Sequence, residues 1–306
     1  MVYDLIIIGG GPAGVSAGIY AARKKLKTLL ITPEFGGQSV VSENIENWIG
    51  TPKITGKDLA ENLKKHLLAY AGDSVKIAEG EFVSGIKKID DRFSVATDKN
   101  KYETKTVLIA AGSHRRKLEI PGAEKFDNKG VTYCASCDGP LFADQDVVVI
   151  GGGNSALESA SQLLAYCKSV TLLDQEVVSR GEKITLEVLS KNPKFKIVNG
   201  VELLEIKGEK FVSGIVYKNS TGEKTKIATP AVFVEIGLVP ATEFAKNILK
   251  LNGRNQIPVN PKNQQTEIAG IWAAGDCTDA LYHQNNIAAG DAVRALEDIY
   301  IWLKTK

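Results

Sequence analysis

The sequence predicts an α/β fold of two nucleotide-binding Rossmann-like domains, and three observations carry that reading. An aliphatic strand, a glycine turn, a helix and a second strand follow one another at residues 5–31 and again at residues 146–174. The strands of both units are uninterrupted aliphatic runs, which marks parallel sheets covered on both faces, because a strand exposed on one side alternates with polar residues. A chain of 306 residues, 43% of them hydrophobic, has the size and composition for two modest domains.

In the first unit, residues 5–8 run into Gly9-Gly10-Gly11-Pro12-Ala13-Gly14, residues 15–24 have helical composition, and residues 28–31 are aliphatic again. Gly9 permits a tight turn, Gly11 lets the backbone approach a pyrophosphate, and Gly14 lets the helix pack on the strand, so the helix N-terminus faces the anion. The flanking strand and helix separate this loop from a merely structural turn. The ribose-binding acid expected at the end of the next strand is missing, since Leu30, Ile31 and Thr32 stand there and Glu34 lies slightly beyond. Residues 75–97 and 102–110 read as shorter strands with charged turns, the last ending at Ala111-Gly112 before a Pro121-Gly122 turn.

The second unit runs from Asp146-Val147-Val148-Val149-Ile150 through Gly151-Gly152-Gly153-Asn154-Ser155-Ala156 and a helix to about Tyr166, then the strand Val170-Thr171-Leu172-Leu173-Asp174. Asp174 closes that strand roughly 20 positions past Gly151, where an acid meets a ribose hydroxyl. Neither Gln175 nor Glu176 offers a cation to a 2′-phosphate, which predicts NADH over NADPH; Arg180 lies close by, and a solvated strand-end acid is the competing reading. Residues 231–237 read as a strand ending at glycine, and Pro240 after it marks a crossing between domains. Residues 270–276 are strand plus turn, and residues 287–304 a terminal helix.

Charge excludes several classes of partner. With 38 basic and 36 acidic side chains spread without a basic block, nothing suits nucleic acid or an acidic membrane surface. No apolar run approaches the roughly 20 residues that span a bilayer, and the aliphatic N-terminus carries Asp4 and runs into glycines as a buried strand does, unlike a signal peptide. The expected compartment is the cytoplasm. Four cysteines in so long a chain are too few for a disulfide scaffold, so any pairing serves chemistry.

Cys134-Ala135-Ser136-Cys137 followed by Asp138-Gly139-Pro140 has the spacing of a disulfide that opens and closes. One thiolate attacks a partner disulfide, the second thiol resolves the mixed disulfide, and Asp138 is placed to shuttle the proton that the leaving sulfur needs. A zinc site would need two more ligands, and Cys167, Cys277, His66, His114 and His283 are all isolated in sequence; no metal is expected. Cys167, within the helix after the second glycine loop, and Cys277 read as buried structural thiols. His114-Arg115-Arg116 reads as a solvated hinge segment, not a phosphate clamp. His283 reads as a polar surface residue, with an acid or base role beside a redox cofactor as the alternative.

Together these blocks, with Gly36-Gly37-Gln38, Glu46-Asn47-Trp48 and Ala273-Ala274-Gly275-Asp276 in register, resemble the low-molecular-weight thioredoxin reductases and the related flavoprotein subunit of alkyl hydroperoxide reductase across essentially the whole chain. The resemblance implies the class II pyridine nucleotide-disulfide oxidoreductase architecture. An FAD domain is built from residues 1–113 and 241–306, and an NAD(P) domain with the redox pair from residues 114–240. It assigns FAD to Gly9, Gly11, Pro12, Ala13, Gly14, Thr32, Pro33, Glu34, Gly36, Gly37, Gln38, Asn47, Val83, Gly275, Asp276, His283, Gln284 and Asn285. The nicotinamide nucleotide falls to Gly151, Gly152, Gly153, Asn154, Ser155 and Asp174. Cys137 inherits the role nearer the flavin, Cys134 the attack on the protein substrate, and Asp138 the acid. Rotation of the two domains about residues 112–121 and 237–240, and a homodimer, are further implications.

Some residues depart from the family pattern. NADPH-specific members resemble one another in an H-R-R stretch where this chain reads Asp174-Gln175-Glu176, and His283-Gln284-Asn285 stands where many carry R-Q-A. The run from Cys137 to Phe142 is closer to the hydroperoxide-reductase flavoprotein, yet the flavin fingerprint starts at residue 9, so a thioredoxin-like or glutaredoxin-like partner is expected as a separate protein. The expected activity is electron transfer from NAD(P)H through FAD and the Cys134/Cys137 pair to that partner. A ferredoxin-like donor, service to a peroxiredoxin system, and a non-enzymatic flavin-binding redox sensor are the alternatives.

Overall fold

Val2–Ile8 forms β1, and Leu5, Ile6 and Ile7 within it have no exposed surface, because the strand is covered on both faces as its unbroken aliphatic run requires. The computed structural model describes residues 1–42 and 45–305, without the side chains of Ser136 and Cys137. After β1 come α1 (Pro12–Arg23), β2 (Thr28–Thr32), α2 (Gly56–Ala71), β3 (Val75–Glu79), β4 (Val83–Ile89), β5 (Arg92–Thr97) and β6 (Lys101–Ile109). Thr55 caps α2 by accepting from the Asp58 N–H at 3.1 Å. Strands β3, β2, β1 and β6 lie side by side and parallel. The antiparallel β5 and β4 continue the sheet, and β4, at its edge, is mostly exposed or half-buried. Helix α1 comes close to β1 at Gly14, where an added Cβ would sit 1.9 Å from the Gly9 carbonyl oxygen, so no side chain fits.

The chain then passes through β7 (Ser113–Arg115) into a second compact unit, Arg115–Leu238. Its elements are β8 (Val131–Thr132), α3 (Ala135–Asp138), β9 (Asp146–Ile150), α4 (Asn154–Leu163), β10 (Ser169–Asp174), α5 (Lys183–Ser190), β11 (Phe195–Asn199), β12 (Glu202–Gly208), β13 (Val212–Lys218), β14 (Lys224–Ala228) and β15 (Val232–Val234). A parallel sheet runs in the order β11, β10, β9, β15, β8. The antiparallel meander β12–β14 forms a separate sheet that periodicity did not disclose, since its residues mix charge with short apolar stretches. Helix α4 stops at Leu163 and does not reach Tyr166: the N–H groups of Ala165 and Tyr166 bond carbonyls three residues back, which tightens the chain out of the helix. Cys167 therefore lies beyond the helix, though it is as buried as expected.

From β16 (Leu238–Pro240) the chain returns to the first unit, adding β17 (Ile271–Ala273) beside β6 and α6 (Asn285–Thr305) against α1. This first unit comprises Met1–His114 and Val239–Lys306. Trp272 on β17 has no exposed surface, stacks edge-on to Trp302 at 5.9 Å, and donates its indole N–H to Asp298 Oδ2 at 2.9 Å. Among the described residues no helix is long and apolar enough to cross a membrane. Trp272→Ala removes the largest side chain in this core and should lower the stability of the first unit by about 3–5 kcal/mol, measured by urea unfolding followed by circular dichroism.

Candidate functional sites

In the first unit, the C-terminal ends of β1, β2, β6 and β17 open on a cleft with about 810 Å³ of empty space. Connections leave β1 toward both sides of the sheet here, which is where open α/β sheets bind ligands. The floor is the glycine turn: Gly9 has φ +122°, and Gly11 is the N-cap of α1 with no side-chain cap, so the first N–H groups of the helix face the cleft. Gly11 and Gly37 face one another, and a Cβ on Gly37 would lie 3.4 Å from the Gly11 Cα. A methyl group on either would fill the cradle. Pro12, Ala13, Thr32, Pro33, Glu34, Gln38, Gly275, Asp276 and Asn285 also line the cleft. Gly14 and Gly36 stand behind its wall, and half-buried Val83 packs with the cluster around Phe93 on β5.

Sequence reasoning passed over other lining residues, namely Ser39, residues 110–113, Ala274 and Ala288. The signal for residues 110–113 was present, since they follow a buried strand directly. Burial raises the Asp276 carboxyl above the usual carboxylate range, and the charge of His283 opposes it. His283 and Gln284 are exposed, and neither is part of the cleft lining. Asn47 Nδ2 donates to Gln284 Oε1 at 2.9 Å, Asn286 Nδ2 donates to the Asn47 carbonyl at 2.6 Å, and Ser39 Oγ donates to Asn285 Oδ1 at 2.8 Å. These bonds tie residues 39–47 to the start of α6.

The second unit holds its glycine turn between β9 and α4. Gly151 has φ +133°, and Gly153 is an N-cap with no side-chain cap, followed by exposed Asn154 and Ser155. Asn154 Oδ1 accepts from the Glu182 N–H at 2.8 Å. Asp174, at the end of β10, is 2% exposed; its Oδ1 accepts from the Glu176 N–H at 3.0 Å, and its Oδ2 is buried with no donor. An added Cβ on Gly152 would fall 1.7 Å from that oxygen, so Gly152 must remain glycine to admit the carboxylate. Arg180 is exposed and pairs with Glu176 at 3.5 Å. An uncapped helix N-terminus beside an orphaned buried carboxylate oxygen fits a dinucleotide, whose pyrophosphate meets the helix and whose ribose supplies the missing donor.

Arg115 departs from the solvated reading of residues 114–116. Its guanidinium Nη1 lies 2.7 Å from Glu235 Oε2, and Ser159 Oγ of α4 donates to Glu235 Oε1 at 2.7 Å. Burial raises the Glu235 carboxyl, while Arg115 and then Ser159 pull it back. The pairing is long-range in sequence, so no local pattern announced it.

Cys134 precedes α3 and is disulfide-bonded, whereas Cys167 and Cys277 are free. The Thr132 hydroxyl donates to Asp138 Oδ2 and accepts from the Cys134 N–H at 3.3 Å; the Asp138 N–H closes the turn on the Cys134 carbonyl at 3.1 Å. One threonine thus fixes both the cysteine and the acid. Among the described residues no group of three or more His, Cys, Asp or Glu could hold a metal.

The model of the pyridine nucleotide-disulphide oxidoreductase family matches residues 3–292. The chain belongs to that family. Membership supports FAD and a nicotinamide nucleotide as its cofactors, and both glycine cradles fit such groups. The chain is 39% identical over 295 residues to the alkyl hydroperoxide reductase flavoprotein, the F component, of Staphylococcus epidermidis, and 37% identical to a NADH dehydrogenase of Bacillus subtilis. Those alignments take in 96% of this chain but 57% of each relative, so the chain spans little more than half the length of the curated relatives it matches. Thioredoxin reductase of Lactococcus lactis, solved in its FR conformation, superposes with a TM-score of 0.92 at 36% identity, over 99% of this chain and 100% of that one.

Burial pushes the Cys167 and Cys277 thiols up to about 11. At pH 8 only about one in a thousand of each is the reactive thiolate. Iodoacetamide at that pH should leave both unlabelled in the native protein, and labelling should appear at residues 134 and 137 only after reduction, read by peptide mass spectrometry.

Proposed function

We propose that this member of the family is a disulfide reductase that passes two electrons from NADH through FAD and the Cys134/Cys137 pair to a thioredoxin-like or glutaredoxin-like protein. The observation that carries the reading is the Thr132 clamp, which holds a disulfide-bonded Cys134 beside the carboxylate of Asp138. A purely structural disulfide needs no acid fixed next to it. Residues 1–113 and 241–306 form the FAD domain in this reading, and residues 114–240 the nicotinamide domain with the redox pair. FAD, when bound, supplies the two-electron chemistry between nicotinamide and sulfur.

The chain's own residues do the rest. Residues 9–13 and the N-terminus of α1 hold the flavin pyrophosphate, and Gly151, Gly152, Gly153, Asn154 and Ser155 hold that of the nicotinamide nucleotide. Asp174 accepts from the adenosine ribose and turns away a 2′-phosphate by like charge, which favours NADH. In the reduced pair, the Cys134 thiolate attacks one sulfur of the partner's disulfide, forming a mixed disulfide and expelling a partner thiolate. Cys137 then attacks Cys134, restoring the internal disulfide and releasing the second partner thiolate. Two thiols are oxidised here as one disulfide is reduced there, and Asp138 carries protons to the departing sulfurs. The likeness to the alkyl hydroperoxide reductase flavoprotein supports a second reading of the partner, a redoxin that feeds a peroxiredoxin. A cytoplasmic homodimer completes the proposal.

Cys134→Ser and Cys137→Ser should each abolish reduction of every disulfide partner while the protein keeps its flavin absorbance; turnover retained in either variant would overturn the assignment. Asp174→Ala should weaken NADH about tenfold, the worth of one charged hydrogen bond, and NADPH much less. Stopped-flow flavin reduction by the two nucleotides reads that difference.

A further inference from the structure

Two acceptors without donors sit side by side at the edge of the second unit's parallel sheet. Asp174 ends β10, Asn199 ends β11, and the two are register partners, so their side chains leave the sheet on the same face. Asp174 Oδ2 and Asn199 Oδ1 are both closed off from water with no hydrogen-bond donor. Folded proteins keep few such atoms because each forfeits its hydration. Two on neighbouring strand ends call for a ligand that brings two donors.

We propose that Asn199 is a specificity-determining residue for the nicotinamide nucleotide, forming with Asp174 a two-acceptor seat for the vicinal hydroxyls of the adenosine ribose. This rests on the nucleotide reading of the second glycine turn and adds a residue to it. A ribose diol offers one proton to the carboxylate and one to the amide oxygen. A 2′-phosphate replaces one of those donors with charged acceptors, leaving an acceptor unpaired and setting like charges together.

The seat is covered in this structure. Gly152 lies against Asp174, and the turn after β10 folds back so that the Gly200 N–H donates to the Glu176 carbonyl at 3.0 Å, with Val177 over Gly200. Val177 and Val178 are each 76% exposed, so that turn can lift without uncovering core, and it is the part that moves to admit the ribose.

The test is calorimetric titration of the flavin-loaded protein with ADP-ribose, its 2′,3′-dideoxyadenosine counterpart and 2′-phospho-ADP-ribose, none of which reduces flavin. Asn199→Ala should weaken ADP-ribose about tenfold, leave the dideoxy ligand within twofold, and narrow the preference for ADP-ribose over its 2′-phosphate. An unchanged affinity for ADP-ribose, or equal weakening of the dideoxy ligand, would overturn the proposal, because a merely structural effect does not depend on the hydroxyls. Should Asn199→Ala fail to fold, Asn199→Ser is judged by the same ligand pair. Asp174→Ala run alongside separates two failures: if it weakens ADP-ribose and Asn199→Ala does not, only the role of Asn199 falls. If neither does, the nucleotide reading of the turn falls with it.

Discussion

At Gly14 there is no room for one methyl carbon, because the carbonyl of Gly9 occupies the place where it would go. That clearance lets α1 descend onto β1, so the helix N-terminus opens onto the cleft floor and the strand end becomes an anion seat. The same constraint recurs at Gly152 with a different neighbour, since there it is the Asp174 carboxylate that excludes a side chain. In both units the helix N-cap carries no side-chain cap, which leaves the first N–H groups to a ligand. Close backbone approach thus creates donors and keeps them unspent.

Polar groups in the second unit are held by contacts that converge from distant parts of the chain. Glu235, with its side chain only 7% exposed, joins Arg115 from the chain's entry into that unit to Ser159 on the dinucleotide helix. Removing either basic or acidic partner would leave a charge poorly solvated, so the pair is a constraint on geometry more than a source of stability. Thr132 acts similarly at the cysteine turn, where one hydroxyl serves the Cys134 amide and the Asp138 carboxylate at once. Chemistry that needs a thiolate and a proton source close together begins from that arrangement.

Much of this was legible in the residues. The two glycine turns, the strands entering them and the C-x-x-C-D block lie within short windows where spacing alone dictates local structure. Boundaries were less legible: α4 ends three residues early because tightened hydrogen bonds, not composition, stop it, and the β12–β14 meander carries no clean period. Asn47, Gln284 and Asn285 were singled out through resemblance, and the structure ties them into one polar staple.

The sequence by itself determined the two βαβ units and the chemical character of residues 134–138, because hydrophobic period and glycine placement act over a few residues. Only the tertiary structure decided which lone polar groups meet. Arg115 finds Glu235 across 120 positions, and Asp174 comes beside Asn199 through sheet register. Burial then left two acceptors unpaired at that edge. Such meetings depend on how strands order themselves in a sheet, and that order is set by packing the whole unit, which no local window contains.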